Sequence, residues 1–204
     1  MRAYQTIFFD FDGVLCKDRF FTTLKETHPE VYNFIQEHIF WKRNDICNTW
    51  MKNEMTMYDI HRYISKQTGI EYETLLMLFE KSVKNMQINK DLITIALQLK
   101  QQWKNIAIVT NNMDVFTTIS ISHHKLDEIF PHIINSSDYG ILKHEQEWKL
   151  FDIAMSKTWT TDYTKTLLID DSANARAVFE QKWGHTFPYT DFVTFKKWAN
   201  IHLL

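Results

Sequence analysis

Hydrophobic residues along this chain fall into two patterns. Short, unbroken apolar runs occur at Thr6–Phe11, Ile106–Thr110, Ile133–Ser136 and Thr166–Asp170, with a weaker one at Thr186–Tyr189. Most do not alternate with polar residues, which suits strands of a parallel sheet covered on both faces. Between the runs, apolar positions recur at spacings of three and four. Asp91–Trp103 places Leu92, Ile95, Ala96, Leu99 and Trp103 on one helical face. Trp148–Met155 and Asn174–Trp183 behave similarly. Strands alternating with helices predict a doubly wound α/β core. Ligands of such sheets bind beyond the carboxyl ends of the strands.

One stretch breaks the alternation. Residues 17–89 contain no convincing strand and read as several helices. Pro29 opens one, with Val31, Phe34, Ile35 and His38 on one face. Met57–Gln67 and Glu73–Val83 form two more, joined around Gly69. The expected division is therefore a core of residues 1–16 and 90–204, with a helical insertion at 17–89. The insertion is rich in aromatics: Phe20, Phe21, Phe34, Phe40, Trp41 and Trp50. A small bundle needs large side chains for its core, so packing is the first reading of each, and a pocket lining the second. With 4 glycines and 3 prolines in the whole chain, breakers are scarce and long helices are expected.

Composition narrows the picture. A chain of 204 residues, 45% hydrophobic, has room for one full domain and a small insertion. A formal net charge of −2 gives no global field to attract nucleic acid or an anionic membrane. The opening MRAYQTIFFDF shows no signal-peptide apolar region, and no apolar run is long enough to span a membrane. Cys16 and Cys47 form neither a metal-ligand spacing nor a disulfide framework. A reducing, cytoplasmic setting is the expectation. His123 and His124 stand side by side without matching partners and read as a solvated helix end. The chain has no visible repeats, and its oligomeric state is open between monomer and homodimer.

Candidate chemistry sits at the strand ends. The first run closes on Asp10 and Asp12, two residues apart, with Gly13 following. On an extended segment such residues point the same way. Two acids at the end of a buried strand are costly unless a cation or proton offsets them. The second run closes on a hydroxyl and two amides; the Thr110 hydroxyl suits a phosphate oxygen, and Thr or Asn there could equally cap a helix. Lys143 follows a turn at Gly140, in ILKH, with Lys149 as a rival lysine. The fourth run closes on Asp170 and Asp171, ahead of Ser172 and Asn174. One aspartate would cap the following helix; a second calls for a hard cation such as magnesium.

In this order, DFDGV, IVTNN, ILKH and LIDDSAN resemble the motifs of the haloacid dehalogenase (HAD) superfamily across nearly the whole chain. The resemblance implies a Rossmann-like core with a helical cap inserted between the first two motifs. It implies a magnesium-dependent phosphatase of small phosphorylated substrates. Asp10 would be the nucleophile and Asp12 the general acid and base, with Thr110, Asn111 and Lys143 on the phosphate. Asp10, Asp170, Asp171 and the Asp12 carbonyl would hold the metal. Two departures stand out: His144 follows Lys143 where the nearest subfamily has proline, and Asn174 lies one residue closer to Asp171 than usual. A phosphomutase shares all four motifs. A haloacid dehalogenase uses an aspartate nucleophile but generally lacks the Asp12 equivalent. A binding protein with a relic site is the non-enzymatic alternative.

Overall fold

The computed structural model describes residues 4–41 and 44–204. Met1–Ala3 and Lys42–Arg43, which belong to the expected core and insertion, lie outside the described residues. The sheet is built from β1 (Thr6–Phe9), β2 (Asn105–Thr110), β3 (His132–Asn135), β4 (Thr166–Asp170) and β5 (His185–Pro188). Their order is β3-β2-β1-β4-β5, and every pairing is parallel. The chain steps outward from β1 to β3, then returns to the other side of β1. Between β1 and β4 the winding reverses, which is where a doubly wound sheet opens a ligand crevice.

Alternate residues of each strand enter two separate cores. Ile7 and Phe9 join Ile106, Ile108, Leu167 and Ile169 on one face, packed under Leu92, Ile95 and Leu99 of the helix Lys90–Gln101. Phe8 joins Ala107, Val109, Ile134 and Leu168 on the other, against Leu150, Phe151, Ala154 and Phe179. Both faces are buried, which is why the runs read as continuously apolar rather than alternating. The helices concerned are α5 (Lys90–Gln101), α6 (Lys149–Lys157) and α7 (Ala173–Gln181). A last helix, α8 (Phe192–His202), follows β5.

Between β1 and α5 the described chain is helical: α1 (Pro29–Ile35) continuing as a π-helical segment (Gln36–Trp41), α2 (Asn44–Met51), α3 (Met57–Thr68) and α4 (Tyr72–Lys84). Thr56 and Asp59 form a reciprocal capping box that starts α3. Phe20, Phe21, Trp50 and Phe79 are buried against one another. Trp41, by contrast, is 83% exposed. Core and helical layer are tied by Asp114, which accepts from Trp50 Nε1 and from the Met57 backbone N–H, both at 2.8 Å. Ser136 Oγ adds a bond to the Met51 carbonyl.

Several expectations needed adjustment. β1 ends at Phe9 rather than Phe11, because the Asp10 carboxylate takes the Phe11 N–H at 2.7 Å and the ladder stops. Helices are not long; the longest described runs 13 residues. Scarce glycine is compensated by non-glycine residues in left-handed conformations, among them Trp103, Trp159 and Trp183 just past α5, α6 and α7. His123 and His124 are not merely solvated: their Nε2 atoms bond the Lys84 and Val83 carbonyls at the end of α4. No helix among the described residues is long and apolar enough to cross a membrane.

Candidate active site

Strand register brings the motif residues to one edge. Phe9 lies opposite both Ile108 and Ile169, so Asp10 emerges level with the carboxyl ends of β2 and β4. The Asp10 N–H still bonds the Ile169 carbonyl at 2.9 Å. Asp12 does not reach the site by strand alternation. The chain turns after Asp10, and Asp12 sits in that turn, with Gly13 at φ +78°.

Lys143 is the hub. Its ammonium lies 2.9 Å from Asp10 Oδ2 and 2.7 Å from Asp170 Oδ2, and the residue is 2% exposed. The Gly140 turn delivers it, and Asn111 Oδ1 holds its backbone N–H at 2.8 Å. Burial opposes its charge, but Asp10 and Asp170 outweigh burial and push the ammonium pKa up. Lys149 lies at the exposed start of α6 and bonds Gln146 instead. Asn111, expected at the phosphate, thus has its side-chain oxygen occupied with positioning Lys143.

The acids outnumber this lysine. Carboxylate oxygens of Asp10, Asp170 and Asp171 lie within 4.8 Å of one another. Burial, with Asp170 and Asp12 nearby, pushes the Asp10 pKa up, and Lys143 pulls it the other way. Asp171 is raised by burial and by Asp170. Oxygen donors converging on one point, with one ammonium among them, fit a small divalent cation such as magnesium. Asp170 also accepts the Ser172 N–H through Oδ1, and its carbonyl accepts from Arg176. The carboxylate of Asp12 is not part of this group.

Asp12 is held by a residue the sequence reading did not single out. Asn112 is fully buried; its Nδ2 donates to Asp12 Oδ2 at 3.1 Å, and its Oδ1 accepts the Met113 N–H. The Asn-Asn pair after β2 was the available signal, but nothing in it told which amide faces the acid. Burial pushes Asp12 up to about 6, with Arg19 and Lys143 pulling the other way. Thr110 Oγ1 is buried and has no hydrogen-bond partner. A hydroxyl left so at a strand end is a donor free for a ligand oxygen.

Beyond Asp12 a cavity of about 320 Å³ opens under the helical layer, lined by Asp12, Asp18, Arg19, Phe20, Gln36, Phe40, Cys47, Met51 and Met113. A larger hollow, about 560 Å³, lies at the opposite edge of the sheet around Tyr4 and Gly184, away from these acids.

No family model matches the chain, and a search of curated proteins finds no match. Solved structures do match. A predicted HAD-like family hydrolase from Porphyromonas gingivalis superposes with a TM-score of 0.77 at 16% identity, covering 99% of each chain. A HAD family enzyme from Bacteroides thetaiotaomicron, in complex with magnesium and inorganic phosphate, gives 0.68 at 16% identity over 90% of this chain and 93% of that one. A dehalogenase with an intermediate complex gives 0.69 at 12% identity, covering 98% of each. The first and third of these likenesses span 98% or more of this chain, so they take in both the sheet and the helical layer. With its parallel five-stranded sheet and acid-lined carboxyl edge, the chain has the haloacid dehalogenase-like fold.

Proposed function

We propose that the chain is a magnesium-dependent phosphomonoesterase acting on small phosphorylated substrates. The observation that carries this is the Lys143 ammonium set between Asp10 and Asp170, with Asp171 completing a three-carboxylate group. Asp10, Asp170 and Asp171 would hold magnesium, which supplies positive charge beside the transferring phosphoryl group. The magnesium and phosphate complex of the Bacteroides thetaiotaomicron enzyme supports the same reading.

The chain's own groups then divide the work. An Asp10 carboxylate oxygen attacks phosphorus and the bond to the leaving oxygen breaks, giving an aspartyl-phosphate. Asp12, raised towards neutrality and steered by Asn112, gives its proton to the leaving oxygen. It then takes a proton from the water that attacks the phosphorus and frees Asp10. Lys143 stabilises the charge on Asp10 and on the phosphoryl oxygens. The unpaired Thr110 hydroxyl donates to one of those oxygens. The helices of residues 17–89, between β1 and α5, act as a cap that closes over the leaving group.

The dehalogenase neighbour favours a second reading, displacement of halide by the same Asp10. A proton donor at Asp12 serves an alkoxide leaving group and has no task with halide, so phosphate is preferred. The test is hydrolysis of phenyl phosphate with and without magnesium, using Asp10→Asn as control. Magnesium-dependent phosphate release that Asp10→Asn abolishes is expected. Chloride release from a haloacid in chelator, with no phosphate release, would reverse the assignment.

A further inference from the structure

The cavity beyond Asp12 has walls of mixed character. Asp12, Asp18 and Arg19 share them with Phe20, Phe40 and Met113, among others. Of the groups assigned to the reaction, Asp12 alone lines it; Asp10, Thr110, Lys143, Asp170 and Asp171 do not. Asp12 gives its proton to the leaving oxygen in the reaction proposed above. The transferring phosphoryl group then sits on the Lys143 side of Asp12, and the body of the leaving group on the cavity side. At about 320 Å³ the cavity lies at the small end of ligand pockets, so that body is compact.

Arg19 is the one cation among the described residues of this wall. The residue is exposed, and among the described residues its guanidinium makes no hydrogen bond or ion pair. Its charge nonetheless bears on Asp12 more strongly than that of Lys143, and it acts on Asp171 as well. The neighbouring acid is spent differently: Asp18 accepts the Gln87 N–H through Oδ2 at 2.6 Å, tying the start of the helical layer to its end. An unpaired surface arginine is normally just solvated. Arg19 differs because it shares a small cavity with the general acid.

We infer that Arg19 selects phosphate esters whose leaving group carries a second anionic group, a carboxylate or a phosphate, a short way from the ester oxygen. The inference rests on the phosphomonoesterase reading above. A guanidinium presents a planar fork that meets either oxyanion with two parallel N–H groups. Such charge-assisted bonds are worth more than neutral ones. Asp12 carries a proton when the ester is cleaved. Asp18 is then the carboxylate of this wall that opposes the anion, and the Gln87 N–H offsets part of its charge.

Binding of non-hydrolysable phosphonates separates this from the chemistry. Calorimetry in magnesium would compare phosphonoacetate, 3-phosphonopropionate and 4-phosphonobutyrate with their uncharged amides. A second arm compares propane-1,3-diphosphonate with propylphosphonate. At least one compound bearing the second anion should bind roughly tenfold tighter than its uncharged counterpart, as a charge-assisted bond implies. The arm with the larger Arg19-dependent gain identifies the anion as carboxylate or phosphate. In Arg19→Gln the ratio should fall to about one, whereas a preference owed to chelation of magnesium would persist. Arg19→Lys keeps the charge without the fork; it should give an intermediate ratio and serves if the glutamine variant fails to fold. An anion preference lost with Arg19 supports the inference even if no ester is hydrolysed, which would sink only the reaction. Hydrolysis of phenyl phosphate with no anion preference, or with one equal in wild type and Arg19→Gln, overturns it. So does the absence of any phosphonate binding.

Discussion

A β-carbon placed on Gly13 would stand 2.1 Å from Oδ2 of Asp171. The turn after the first acid and Asp171, just past the end of β4, are thus packed against each other, and only hydrogen fits between them. Gly13 also holds φ +78°, a left-handed conformation that costs other L-residues about 1–2 kcal/mol. Gly13→Ala should therefore both lower stability by roughly that amount and push Asp171 out of the carboxylate group. Magnesium half-saturation should rise on the order of 10-fold or more, as it does when groups that orient metal ligands are lost. An alanine variant with wild-type magnesium dependence would show that Asp171 is not held by this contact.

Lys143 and Lys149 are distinguished by surroundings rather than by sequence. Lys143→Ala leaves Asp10 and Asp170 facing each other without their shared ammonium. Losing one fixed transition-state donor costs on the order of 2.7–4 kcal/mol in kcat/KM. Lys149→Ala removes an exposed group and should change kcat/KM by less than about twofold. Circular dichroism checks that the Lys143 variant still folds, since unpaired buried acids also destabilise. Equal effects from the two variants would contradict the placement.

Trp103 is 95% exposed and sits at φ +62° immediately past α5. It makes no burial gain to offset the left-handed strain, and glycine is the usual residue there. Trp103→Gly should stabilise the protein by about 0.5–1 kcal/mol, the strain relieved less the extra chain entropy of glycine. A urea midpoint that stays level or falls would mean that this indole has contacts the fold does not reveal.

How far the sequence carries depends on the kind of constraint involved. The runs ending at Asp10, Thr110 and Asp170 were readable because strands buried on both faces need unbroken apolar stretches. The helical faces of α3, α4 and α5 were readable from three-and-four spacing. Lys143 was much less so: an isolated lysine is normally solvated, and only β2 and β4 folding beside β1 bury it. The role of Asn112 was hidden for a similar reason, since its partner Asp12 is 100 residues away in the chain. Helix ends misled because this chain ends them with tryptophan where glycine is the common signal. The cavity beyond Asp12 depends on how the helical layer sits over the sheet, and no local periodicity encodes that.

His61 offers a test of the helical layer that owes nothing to catalysis. The residue is fully buried, packed on Phe21 and Phe79, with Nδ1 on the Met57 carbonyl and Nε2 unpartnered. Burial lowers its pKa below the ordinary value of 6.5, despite the Met57 carbonyl and nearby carboxylates. Above that value neither folded nor unfolded chain carries the proton, and His61 leaves stability unchanged. As pH falls below it, the unfolded chain takes up a proton that the folded ring resists, so stability is lost. His61→Leu cannot take up that proton. The difference in unfolding free energy between variant and wild type should therefore shift in favour of the variant from pH 7.5 to pH 5.5. The limit is about 1.4 kcal/mol per pH unit below 6.5. Urea titrations of both proteins at the two pH values measure it directly, and other acids cancel in the difference. Parallel curves would mean that the ring gains a proton in place, and that the aromatic cluster is more open to water than its packing implies.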